Sequence, residues 1–218
     1  MTATPPPAGT PLTPLELDAL REVANIGCGH AATVLSQMIG RGIMIDVPVL
    51  TLAPVADVAR TLAPDGQPVA ILSMRIVGDL TGATTFVMRH ANAQFLCDLL
   101  LQRAPGSGGL ESPMERSALM EAGNVMASGF LNALSVFLNR ILLPSPPRIT
   151  FGPVATLEQD EASTTSVLVA TTNFRFEDQA VSEQQLTGMF LFALDDAARA
   201  ALFSTLRKDE GGGTGSSA

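Results

Sequence analysis

Thr13-Pro-Leu-Glu-Leu-Asp18-Ala-Leu-Arg-Glu22-Val-Ala-Asn25 is answered 99 residues later by Ser112-Pro-Met-Glu-Arg-Ser117-Ala-Leu-Met-Glu121-Ala-Gly-Asn124. In each copy 22 residues separate the asparagine from a proline, Pro48 in the first and Pro147 in the second. Between residues 13 and 56, 14 of 44 positions are identical to the residue 99 places on, where ordinary amino-acid usage gives about three. The chain is therefore an internal duplication. The duplication has retained a Glu and an Asn, residue types that core packing does not require.

The opening of each copy reads as a helix start. Thr13 and Ser112 are hydroxyl residues followed by Pro at the first helical position and by Glu at the third, Glu16 and Glu115. This is a capping box: the hydroxyl accepts from an orphan N–H of the first turn, and the Glu reaches back to the cap while favouring the positive helix end. The helices are predicted to run to about Gly40 and about Asn139. Leu20, Ala24, Gly27, Ala31, Val34, Leu35 and Met38 recur at helical spacing and form the expected buried stripe of the first. Leu119, Gly123, Val125, Met126, Phe130, Leu134, Phe137 and Leu138 do so in the second.

Strand signals follow each helix, over residues 43–53 and 148–157, with Pro near one end as suits an edge or a strand start. Two hairpins come next, 69–77 with 84–88 and 166–176 with 189–194, the second across a longer polar loop at 177–187. Leu80-Thr81-Gly82 and Leu186-Thr187-Gly188 precede or open the return strands. Short helices are predicted near 91–102 and 195–206. The fold class is thus α+β: a duplicated helix–strand–hairpin–helix unit with pseudo-two-fold symmetry, its antiparallel sheet covered by two long helices. One domain over residues 13–207 is expected, built from repeats 13–103 and 112–207 and joined by the Gly-rich 104–109 segment, because a single half would leave sheet edges unprotected. The Pro-rich residues 1–12 and the Gly/Ser-rich residues 208–218 read as tails.

Composition narrows the function. The 218 residues are 46% apolar with a net charge of −8, the profile of a globular protein and the wrong sign for a phosphate backbone. No nucleic-acid partner is expected, and a partner with a basic surface is compatible with the charge. No signal pattern and no run of about 18 apolar residues is present. The reading is a cytoplasmic protein with no membrane partner, its Cys28 and Cys97 reduced. Cys28 and His30 are two residues apart on a helix and point about 200° from each other, which does not make a metal pair.

On a helix, positions i, i+4 and i+7 share one stripe. Asp18, Glu22 and Asn25 therefore line up, as do Ser117, Glu121 and Asn124, on faces away from the buried ones. The doubled pattern, with Glu22-Val-Ala-Asn25-Ile-Gly-Cys-Gly-His-Ala-Ala and Glu121-Ala-Gly-Asn124-Val-Met-Ala-Ser-Gly-Phe-Leu, resembles the CheC/CheX/FliY family of chemotaxis phosphatases over about residues 13–206. Two intact copies are similar to the CheC branch. The resemblance implies a substrate, the aspartyl phosphate of a phosphorylated CheY-type response regulator. It also implies roles. Asn25 and Asn124 would enter the regulator's active site and orient the attacking water. Glu22 and Glu121 would hold the regulator through its active-site Lys, and Asp18 and Ser117 would support the helix surface. Pro48 and Pro147 read as structural, ending the helix-to-strand connection. No cofactor is expected on this chain, since the Mg²⁺ belongs to the regulator. The chemistry is consistent with that division. An acyl phosphate is already activated, and what remains is in-line placement of water, for which a neutral amide offers a donor and an acceptor beside an anion.

A second reading is a regulatory or adaptor module that binds the receptor deamidase CheD or the flagellar switch. The retained Asn pair argues against a scaffold alone. The Gly-rich stretch after Asn25 departs from the second copy, and its small residues suit close approach of the neighbouring helix or of a partner. A monomer is expected, two copies in one chain standing in for a dimer.

Overall fold

The computed structural model describes residues 13–157, 167–176, 186–194, 200–202 and 204–205. Both expected tails lie outside the described residues, as do residues 177–185 of the polar loop and most of the 195–206 helix.

Two helices of 26 residues dominate, α1 (Pro14–Ile39) and α4 (Pro113–Leu138). Both capping boxes form. The Glu16 N–H donates to Thr13 Oγ1 at 3.3 Å while the Thr13 N–H donates to Glu16 Oε2 at 2.8 Å. Glu115 and Ser112 repeat this at 3.3 and 2.9 Å. The helices stop where the chain turns left-handed, at Gly40 (φ 72°) and Asn139 (φ 50°), residues that tolerate that conformation. A retained serine then fixes the next element. The Ile43 N–H donates to Ser36 Oγ at 2.9 Å, and the Leu142 N–H donates to Ser135 Oγ at 2.9 Å.

After α1 come β1 (Ile43–Ile45), β2 (Val49–Ala53), α2 (Val55–Leu62), β3 (Val69–Gly78), β4 (Gly82–Arg89) and α3 (His90–Leu100). After α4 come β5 (Leu142–Pro144), β6 (Arg148–Gly152), β7 (Val167–Phe176) and β8 (Leu186–Leu194). All eight strands join one antiparallel sheet in the order β1-β7-β8-β4-β3-β5, with β2 also on β7 and β6 also on β3. The short strands of each half thus pair with the hairpin of the other half. The two hairpins meet at the centre, where Phe86 stands opposite Phe190 with ring centroids 4.5 Å apart. Leu72 faces Phe86 in one hairpin as Ala170 faces Phe190 in the other, so these phenylalanines are structural counterparts and the pseudo-two-fold axis passes between them.

Several expectations need correction. The 43–53 strand is broken at residues 46–48, because Pro48 has no N–H for a ladder. The 148–157 strand ends at Gly152, and β5 precedes it. α2 was not expected. Its Val55, Val58 and Leu62 cover a second core on the far side of the sheet with Ile71, Val87, Val169 and Leu191. That second core makes the central strands apolar on both faces, and α2 extends the first half beyond a helix–strand–hairpin–helix unit. β8 begins at Leu186, not 189, and the two Leu-Thr-Gly texts sit two residues out of structural register. Val34 is 39% exposed and does not belong to the buried stripe, and Val125, Phe137 and Met38 are only half-buried.

α1 and α4 touch through their backbones. A Cβ on Gly27 would lie 2.9 Å from Phe130 Cα, and one on Gly129 would lie 2.8 Å from the Gly27 carbonyl oxygen. The joint between the halves is also held. Arg103 Nη1 donates to Glu115 Oε1 at 2.7 Å, the Gly109 N–H donates to the same oxygen at 3.3 Å, and the Gly106 N–H donates to buried Asp98 at 2.7 Å. The Ser112 N–H, then Arg103, hold the Glu115 carboxyl well below the usual carboxylate range, at about 2. A depressed carboxyl stabilises the fold above its unfolded-state value of 4.5 and stops doing so as pH falls toward about 2. Glu115→Gln should therefore flatten the acid side of a plot of urea midpoint against pH between about 5 and 2, relative to the wild-type chain.

Candidate functional site

The retained polar residues lie on the outer surfaces of α1 and α4. Asp18, Glu22 and Asn25 are exposed, as are Ser117 and Glu121, whereas Asn124 is half-buried. This asymmetry has a counterpart in the packing. Gly123 replaces Ala24 in the repeat, and a Cβ there would lie 2.6 Å from Leu72 Cδ2, so α4 is seated directly on β3 just before Asn124.

At 100° per residue, Asn25 lies about 160° around α1 from Gly27, and Asn124 about 140° around α4 from Gly129. Those glycines mark the helix seam, so each Asn points away from the other helix, while Glu121, about 80° around α4 from Gly129, stands nearer the seam. Met38, near the end of α1, shares a groove with Pro113, Met114, Ser117 and Glu121 at the start of α4, which sets the helices antiparallel. Leu100 and Leu101 complete that groove, an apolar border to the second site that sequence spacing could not reveal because it joins three separate segments. Met114, its outermost residue, is 65% exposed.

Among the described residues, neither Glu22 nor Glu121 has an ion-pair partner and neither Asn amide has a hydrogen bond. Exposed Glu22, Asn25 and Glu121 are therefore available to a partner, and half-buried Asn124 is less so. Asp18 differs: it accepts from Arg21 at 3.1 Å, an exposed pair of small energetic weight. Ser117 makes no such pair among the described residues and borders the groove. Pro48 is buried at the break between β1 and β2, and Pro147 is half-buried just ahead of β6. Each ends a connection that already contains a short strand.

No described cluster of three His, Cys, Asp or Glu forms a metal-binding group, and no described helix is long and apolar enough to cross a membrane. Cys28, three residues from Asn25, faces the core. Burial pushes its thiol up to about 12, against a smaller lowering by the Thr172 hydroxyl. Burial, with Glu115 and Asp98 adding to it, takes Cys97 to about 11.

The site is thus two helix-surface stripes, each carrying a carboxylate and an amide, the second beside a shallow groove. The chain belongs to the CheC-like family. The family's model matches residues 15–52 and 114–150, the two helices with the strands after them. The chain is 33% identical over 184 residues to the CheY-P phosphatase CheC of Bacillus subtilis, covering 81% of this chain and 87% of that one. Among solved structures, FliY of Thermotoga maritima aligns with a TM-score of 0.70 at 22% identity, over 90% of this chain and 98% of that one. The FliM middle domain of H. pylori aligns with a TM-score of 0.59 at 10% identity, over 89% and 99%, a likeness of fold.

Both thiols should be silent in the native protein. A thiol-reactive chromogenic disulfide at pH about 8 should give no rapid phase, and two equivalents should react once the chain is unfolded in guanidinium.

Proposed function

We propose that this chain hydrolyses the aspartyl phosphate of a phosphorylated CheY-type response regulator, and that it does so at Asn25 and Asn124. The observation that carries the reading is the doubled display of an unpaired Glu and Asn on a convex surface. Exposed side chains on a helix surface suit insertion into a concave active site on another protein, and the apolar groove beside Glu121 offers a border for such a partner. Membership of the CheC-like family, and the name of the Bacillus subtilis relative, support the same substrate.

In this reading the carboxamide accepts a hydrogen bond from one water and holds its oxygen in line with phosphorus. The new P–O bond forms as the bond to the aspartyl oxygen breaks. The aspartate leaves as a carboxylate that needs no protonation near neutral pH, and inorganic phosphate or solvent takes the water's proton. Mg²⁺ on the regulator supplies the charge that stabilises the transferring group. Glu22 and Glu121, one turn before each Asn, reach a cation at the rim of the regulator's active site. Asp18 holds Arg21 beside the first pair, so one positive side chain is kept from Glu22.

A non-catalytic role as an adaptor for the receptor deamidase CheD or for the flagellar switch is the second reading. The likeness to the FliM middle domain favours it to the extent that the fold is not tied to catalysis.

Phosphate release from a phosphorylated regulator separates the two. Replacing both Asn25 and Asn124 by Ala should lower turnover at least about 100-fold, the scale of losing a positioned polar group in a reaction site, with an unchanged circular dichroism spectrum. Retained turnover in that variant rejects the assignment. Absence of turnover in the wild-type chain, together with stoichiometric binding of the deamidase, establishes the adaptor. Reversing charge at Glu22 and Glu121 to Lys should weaken regulator binding about tenfold or more, with a smaller effect at high salt; unaltered affinity removes the docking role.

A further inference from the structure

The glycines after Asn25 divide in two. Gly27 is needed by the fold, since its missing Cβ is where α4 crosses. Gly29 is not: a Cβ built there meets no atom within 4 Å, and the residue is exposed. Its φ is not in the left-handed region either. A glycine inside an exposed stretch of helix costs about 1 kcal/mol relative to alanine, and here neither packing nor backbone conformation returns that cost.

Gly29 lies four residues beyond Asn25 and seven beyond Glu22, on the same stripe, about 40° around the helix from Asn25. An Asn side chain is short. For its amide to reach a recessed phosphoryl group, the helix backbone must come close to the partner's surface. A side chain one turn along on the same face would hold the helix away. At Gly29 the surface is bare backbone, and its carbonyl oxygen is already engaged, accepting from Thr33 Oγ1 at 2.9 Å. The second copy has a small residue at the same place, Ser128, although most positions around it differ between the copies.

We propose that Gly29 is a positioning residue of the first site, resting on the phosphatase reading above: it is a gap in the docking face, into which main chain of the response regulator seats so that Asn25 reaches the acyl phosphate. Ser128 partly fills the corresponding gap in the second copy, so the two sites differ in how closely a regulator can approach.

The test uses the full chain with Asn124→Ala, which leaves only the first site working. Adding Gly29→Ala should raise the thermal midpoint by about 2–4 °C and raise KM for the phosphorylated regulator about tenfold, a 1.4 kcal/mol loss of docking, with kcat within about twofold. Gly29→Leu should keep the stability gain and abolish turnover at attainable regulator concentrations. A KM unchanged by Gly29→Ala overturns the inference while leaving the phosphatase reading intact. A fall in thermal midpoint also overturns it, because the glycine would then serve the fold. An Asn124→Ala parent that turns over no regulator, when wild type does, overturns it by removing the first site from catalysis. Absence of turnover by the wild-type chain rejects the phosphatase reading and this inference together.

Discussion

The backbone contact between α1 and α4 at Gly27 and Gly129 is the constraint on which the remaining architecture depends. Two helices of this length lying on one sheet would ordinarily be held 8–10 Å apart by their side chains. Removing the side chain from both sides of the seam lets main chain meet main chain. The polar stripe of each helix is then left on the arc that neither the seam nor the sheet occupies. The outward placement of both Glu–Asn pairs is thus a packing result as much as a choice of residue.

The sheet secures this arrangement from below. Each half gives its short strands to the other half's hairpin, so β1 and β2 rest on β7 while β5 and β6 rest on β3. Slippage between the halves would have to break ladders on both sides of the centre and unstack Phe86 from Phe190. At the joint, Glu115 accepts from its own capping partner and from Arg103 and Gly109, so the start of α4 and the connecting segment are ordered by one carboxylate. The Gly-rich text of that segment suggested only a link. The contacts that restrain it come from α3 and from the cap itself.

Legibility followed the range of the interaction. The capping boxes, the helix ends at Gly40 and Asn139, and the polar stripe rest on neighbours within a few residues, and they were readable in the sequence. The hairpins were readable from β-branched runs bounded by Gly. α2 was missed because eight residues give barely two turns of periodicity, and the apolar set Val55, Val58 and Leu62 follows a strand without a break in hydrophobicity. β5 was missed for the opposite reason: three residues next to prolines carry no alternation, and only the ladder with β3 makes them a strand. Val34 falls near the helix seam by periodicity yet is 39% exposed, which periodicity alone does not encode. The half-burial of Asn124 and the groove beside Glu121 depend on how α4 meets β3 and α3, and no local pattern encodes that. Nor did any pattern separate Gly27 from Gly29, since the distinction is what lies opposite each of them.

The exchange of short strands between halves has a consequence for how this protein can change. If each half were a separate chain, the same ladders would form between two identical subunits, and every substitution would be made at both sites at once. A variant that improved one docking face while weakening a helix would then carry its cost twice. Joined in one chain through residues 104–109, the copies are free to drift apart while the sheet keeps them together. Ala24 and Gly123, or Gly29 and Ser128, are records of that freedom. Tandem fusion has turned one symmetric function into two heritable characters that selection can adjust separately.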